Sequence, residues 1–131
     1  MPTQTRYDHT ARLAVLEAHG EVSPEEAVAQ FRAACTELAE LHARDPGREY
    51  GVLLDARDSA TVPTRAHILQ LLDEICAHRT DRPPRKWAVL APQPAHFGMG
   101  RLLQAHAEER QIEVQVFKHQ DDAIAWLTAG R

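Results

Sequence analysis

Six residues in two short stretches offer the best chemistry in this 131-residue chain: Asp55, Asp58 and Thr64 in one, Gly98, Gly100 and Arg101 in the other. In FGMGR (97–101) two glycines let other atoms approach the backbone. A helix starting there would point unpaired amides outward, beside the charge of Arg101. That combination suits an anion or a carboxylate. The competing reading is helix packing that tolerates small residues, with Arg101 in a structural ion pair. Asp55 ends an apolar run, YGVLLD. It suits either a phosphoacceptor at a strand end or a carboxylate that orders the next loop by accepting backbone amides. The first role needs an acidic pair after the first strand and a Ser or Thr after the fourth. Only Glu21 and Ala91-Pro92 stand there, so the loop-ordering role is preferred.

Eight histidines raise the question of a metal. None forms an H-x-x-x-H pair, and no cysteine lies within reach in sequence. His96 and His106 sit at opposite ends of one helical stretch, about 15 Å apart by helical rise. Zinc is not expected, and His106 reads as a core or boundary histidine. Cys35 and Cys76 stand singly in helical patterns, which points to buried, reduced thiols. No Ser or Thr has a His–Asp partner pattern, so nothing supports nucleophilic catalysis. The expectation is a protein with no enzymatic activity and no cofactor.

The elements that must position these residues follow from periodicity. Thr5–Tyr7 and Arg12–Ala18 suit a short hairpin around Asp8-His9-Thr10. Within it Leu13, Ala14, Val15 and Leu16 form a run covered on both faces. Ser23-Pro24-Glu25-Glu26 is a helix start with a reciprocal cap. Val28, Phe31, Cys35, Leu38 and Leu41 then recur at helical spacing until Asp45-Pro46-Gly47. Tyr50–Asp55 predicts a central parallel strand, followed by a polar loop over Ala56–Val62. Pro63 opens a helix with Ile68, Leu71, Leu72, Ile75 and Cys76 on one stripe, which Thr80–Pro84 ends. Lys86–Ala91 is the next strand, and a third helix is expected to begin near Phe97–Gly100. Ile112–Phe117 alternates, with Glu113 and Gln115 on a wet face, as an edge strand does. Gln120–Ala129 is the last helix, with Asp121 and Asp122 at its positive end.

The order (β)βαβαβαβα predicts an α/β fold: a mainly parallel sheet of about five strands with helices on its faces. The length suits a single domain, 1–131. Composition is ordinary for a globular protein, at 44% hydrophobic and 26% charged. A net charge of −4 argues against a general nucleic-acid or anionic-membrane binder. No apolar run approaches the length of a membrane span. MPTQTRYDHT lacks a signal-peptide core, and a cytoplasmic location is the expectation.

The residues of the C-terminal third also resemble a known group. Phe97-Gly98 with Arg101, then Val114, Val116 and Phe117, then Ala123, Trp126 and Leu127 are similar to the small bacterial SpoIIAA-like proteins of STAS/SEC14 type. Their pattern is an aromatic-Gly-x-x-Arg helix start, a V-x-V-F strand and an A-x-x-W-L helix. The strand ending at Asp55 matches the group's central Leu-x-Asp strand. The resemblance spans most of the chain and implies a βα superhelix preceded by an extra N-terminal strand. Better-studied STAS domains are anti-anti-sigma factors, phosphorylated on a Ser or Thr at a helix start after the central strand. The corresponding position is Thr64. Here Pro63 replaces the motif's Asp, Ala66 lies near its Gly, and Asp58-Ser59 comes too early, so a phosphoswitch is not expected.

The resemblance therefore implies a non-enzymatic regulatory or protein-interaction module. The alternative is a carrier of a small apolar or anionic ligand, and a homodimer stays open. A deep apolar pocket would favour the carrier and a filled core the interaction module. The strand–helix loops Gly20–Ser23, Ala56–Val62, Pro92–His96 and Lys118–His119 should gather on one rim, the working edge of open α/β sheets.

Overall fold

A computed structural model describes residues 2–47, 49–77 and 86–129. Among them the chain forms strands β1 (Thr3–Asp8), β2 (Leu13–Gly20), β3 (Gly51–Ser59), β4 (Lys86–Leu90) and β5 (Glu113–Phe117). The helices are α1 (Pro24–Arg44), α2 (Arg65–Ala77), α3 (Pro94–Glu108) and α4 (Gln120–Thr128). The expected break at Thr80–Pro84 lies outside the described residues. The strands run β1-β2-β3-β4-β5 across one sheet; β1 is antiparallel to β2 and every other pair is parallel. This is the mainly parallel α/β sheet that the sequence pattern predicts, with the extra N-terminal strand that the resemblance implies. Strand order never reverses, so the sheet has no switch-point crevice of the kind that hosts ligands in doubly wound folds.

Period-2 alternation divides the core into two layers. Ala14, Leu16, Val52, Trp87, Val114 and Val116 belong to the face packed by α1, α2 and α3. Leu13, Leu53, Ala88 and Leu90 belong to the face packed by α4 through Ala123 and Leu127. β5 is an edge, and its Glu113 and Gln115 are exposed while Val114 and Val116 are buried, as alternation requires. The α1 start is the capping box expected at Ser23: its hydroxyl accepts from Glu26 N at 3.1 Å, and Glu26 accepts from Ser23 N at 3.1 Å.

Three boundaries differ from the sequence reading. β3 does not end at Asp55 but runs to Ser59, because β2 continues beside it and pairs His19 with Asp58 and Gly20 with Ser59 past a bulge. Those residues are polar, so apolar periodicity gave no sign of the extension. Pro63 precedes α2 rather than opening it: Thr64 Oγ1 accepts from His67 N at 3.3 Å, so Thr64 caps the helix. Pro94 is already in the first turn of α3, where a missing amide costs nothing. Gly98 and Gly100 consequently lie inside the helix, not at its start.

Candidate functional site

The four loops at the carboxyl ends of β2 to β5 do meet on one rim, joined by hydrogen bonds. Gly20 ends β2 with φ +64°, a left-handed turn that costs glycine little, and its carbonyl accepts from Ala60 N at 2.7 Å. Val22 N donates to Thr61 Oγ1 at 2.9 Å. Gln93 Nε2 donates to Arg57 O at 2.6 Å, and Arg57 donates to Gln120 Oε1 at 3.1 Å. Thr61 sits at the middle: its carbonyl accepts from Ser59 Oγ at 3.1 Å and lies 3.0 Å from His96 Nε2.

The six residues singled out by sequence are brought together only in part: Asp58 belongs to the Ala56–Val62 stretch of the rim, and Asp55 and Gly100 both line a cavity beneath it. Asp55 is only 7% exposed, and its carboxylate is held by Arg57: Nε donates to Oδ1 at 3.0 Å, Nη2 to Oδ2 at 2.8 Å and the backbone N to Oδ1 at 3.1 Å. Burial alone raises a carboxyl pKa, but the Arg57 hydrogen bonds and charge, with His19 adding, outweigh it and leave Asp55 below its usual range. Asp55 thus accepts one backbone amide, from Arg57 within β3 rather than from a following loop, together with a guanidinium that sequence reading missed. Asp58 is 3.5 Å from His19 Nδ1, and Thr64 is spent on its cap. Gly98 is exposed, whereas Gly100 is buried where an added Cβ would lie 2.9 Å from Val116 Cγ2. Their amides belong to the helix interior, so they do not form the outward-facing anion nest that a helix start would. Arg101 is exposed and makes no ion pair among the described residues, so the structural ion pair expected of it is also missing.

What the rim does cover is a cavity of about 160 Å³. It lies on the three-helix face of the sheet, enclosed by the N-terminal halves of α1, α2 and α3. Its floor is Leu16 and Ala18 of β2, Leu54 and Ala56 of β3, and Val89 of β4. Its walls are Ala27, Val28 and Phe31 from α1, Ile68 and Leu71 from α2, and Met99, Gly100 and Leu103 from α3. The packing explains why space remains. Gly100 lets α3 settle close on β5, whereas α2 makes its close approaches to α1 and α3 rather than to the sheet. Ion pairs hold α2 on both sides, Arg32–Glu74 at 2.7 Å from α1 and Arg110–Asp73 at 2.6 Å from the end of α3. On α2 the clamped Asp73 and Glu74 lie toward the C-terminal end, whereas the cavity is lined by its N-terminal half. Among the described residues, Val62 is the exposed large hydrophobic side chain (43%) and stands on the loop that covers this end.

Most polar side chains of the lining are already engaged. Ser23 caps α1; Ser59 and Thr61 bond each other's loop; Gln30 Nε2 donates to Gln4 O and Glu17 O at 3.2 and 3.3 Å, pinning α1 to the hairpin. Among the described residues no Lys or Arg lines the space. His96, in the first turn of α3, is the buried histidine of the lining among the described residues, at 9% exposure. Sequence reading weighed it only as a metal ligand. The stripes on α1, α2 and α3 were legible as core, but no periodicity says that three apolar faces enclose a space instead of filling it. Among the described residues no group of three His, Cys, Asp or Glu side chains could hold a metal, and no helix is long and apolar enough to cross a membrane.

No protein-family model and no curated protein matches the chain. Among solved structures, it is similar to an uncharacterized protein of the DUF3478 family with a SpoIIAA-like fold from Shewanella loihica PV-4. That match has a TM-score of 0.53 at 16% identity and covers 95% of this chain and 91% of that one. At this identity the likeness concerns architecture alone, and it agrees with the strand order and helix placement above: the chain has a SpoIIAA-like fold.

Proposed function

We propose that this chain is a non-enzymatic module that binds a small, largely apolar ligand under its loop rim. The observation that carries this reading is the cavity itself, about 160 Å³ with walls of Leu, Ile, Val, Phe, Ala and Met side chains. An apolar cavity of about 150 Å³ admits a benzene-sized molecule, and a concave apolar space with few polar groups is the usual form of a small-molecule site. The absence of Lys and Arg from the lining among the described residues favours the apolar half of the carrier reading over the anionic half. Burial of a charged ligand without a partner would be costly.

A regulatory role through a protein partner is the second reading, favoured by the convergence of four loops on one exposed rim. The two readings combine naturally. Thr61 both lines the cavity and bonds the loops before α1 and at the start of α3, so a ligand beneath it would alter the surface that a partner meets. Native mass spectrometry of the protein purified from a soluble lysate tests the proposal, with Ala27→Phe as the variant that fills the cavity from α1. The expected result is a bound or exchangeable small molecule on the wild type and none on the variant. A folded wild type that carries and takes up nothing, across a panel of small apolar compounds, would overturn it.

A further inference from the structure

Two buried side-chain atoms among the described residues lack a hydrogen-bond partner, Gln93 Oε1 and His96 Nδ1, and only His96 belongs to the cavity lining. The other ring nitrogen fixes what His96 can offer. Nε2 lies 3.0 Å from the Thr61 carbonyl, which can only accept, so Nε2 carries the hydrogen and donates. In the neutral ring Nδ1 is then a bare acceptor. No protein group among the described residues bonds it, which is uncommon for a buried polar atom and calls for a cause. The remaining polar lining is engaged, as shown above, or stands at the open end: Gln70 is exposed and His67 half-buried.

We propose that the ligand is an uncharged, largely apolar molecule with one O–H or N–H group that donates to His96 Nδ1, such as a phenol, an indole or a small alcohol. This deepens the carrier reading and rests on it. The chemistry sorts the alternatives. A carboxylate would face an acceptor and find no Lys or Arg in the lining among the described residues. A pure hydrocarbon would leave Nδ1 orphaned, as it is now. Met99 lies one turn after His96, on the same side of α3 and also in the lining. Its unbranched side chain is the neighbour best able to move as a donor approaches.

The test is a set of calorimetric titrations of the full chain with three compounds of one shape, p-cresol, toluene and 4-methylbenzoate, at neutral pH. The wild type is expected to bind p-cresol at least tenfold more tightly than toluene and to bind 4-methylbenzoate weakest. His96→Phe keeps a planar ring but removes the acceptor, and should bind p-cresol and toluene alike. Nitrogen NMR of the wild-type imidazole gives a readout that does not depend on the variant folding: an Nε2–H tautomer, with the Nδ1 resonance moving on addition of p-cresol. Equal affinity for p-cresol and toluene, or a preference for the carboxylate, would overturn this inference while leaving the carrier reading intact. Failure of all three to bind would overturn both.

Discussion

Gly98 and Gly100 lie two residues apart in α3, yet alanine should act on them with opposite sign. At Gly98 an added Cβ meets nothing within 4 Å. The change there only removes glycine's backbone freedom from a helix interior, which stabilises by about 0.5–1 kcal/mol. At Gly100 the same gain is set against a collision. The Cβ would stand 2.9 Å and 3.1 Å from the two methyls of Val116 and 3.4 Å from Val89 Cγ1. Val116 is buried, β-branched and fixed in β5, so it cannot rotate away cheaply. Overpacking of this kind costs about 1–3 kcal/mol, which leaves Gly100→Ala destabilised by up to about 2.5 kcal/mol. For a chain of this size the two melting temperatures should part from the wild type in opposite directions by roughly 2–8 °C. Urea denaturation measures both midpoints, and an unchanged slope would confirm that only stability moved. A Gly100→Ala protein as stable as the wild type would refute the claim that α3 sits on β5 through a missing side chain. A destabilised Gly98→Ala protein would restore the idea that these glycines mark a helix start.

Two further outcomes follow from the charged and sulfur groups. Arg57→Ala strands a carboxylate whose side chain is 8% exposed; since Arg57 itself is 42% exposed, screening reduces the cost to about 1–3 kcal/mol. Because the folded Asp55 pKa is depressed, its contribution is fully present above the unfolded value of about 3.9 and is lost as pH falls through the lower folded value. Denaturation midpoints measured from neutral to strongly acidic pH should therefore show a smaller acid loss in Arg57→Ala than in the wild type, and parallel curves would contradict the pairing. The Cys35 thiol is buried and pushed up to about 11, by desolvation first and then by the charge of Glu74, whereas Cys76 is half-buried. A thiol reagent should label Cys76 first and Cys35 only on unfolding, and native-state labelling of both at one rate would be the contrary result. Cys35→Ser should cost about 1–3 kcal/mol through an under-satisfied buried hydroxyl.

The fold was legible because burial imposes period. Leu13–Leu16 and Val52–Leu54 are apolar on both faces because helices cover both, while Glu113 and Gln115 alternate with Val114 and Val116 because β5 is an edge. Boundaries failed where a partner decided them. Asp58 and Ser59 are strand residues only because β2 runs beside them, and Pro94 starts α3 three residues before the aromatic-glycine pattern. The site was less legible still. Asp55 was found by type and position, but its guanidinium partner is the next residue but one on the same strand, with no motif to announce it. His96 carried no signal as a binding group, because its value comes from Thr61 O, 35 residues away in sequence. A cavity is a property of how far apart helices rest, and no single stripe encodes that distance.

The central claim is that the three-helix side of the sheet houses a ligand, and methyl-resolved NMR during a p-cresol titration tests it most directly. Saturable shifts are predicted at Val28, Leu54, Leu71, Val89 and Leu103, which line the cavity. Leu13, Leu53, Leu90 and Leu127, packed on the opposite face with α4, should stay still. Shifts centred on that second group, or no saturable shift in a folded protein, would contradict the account.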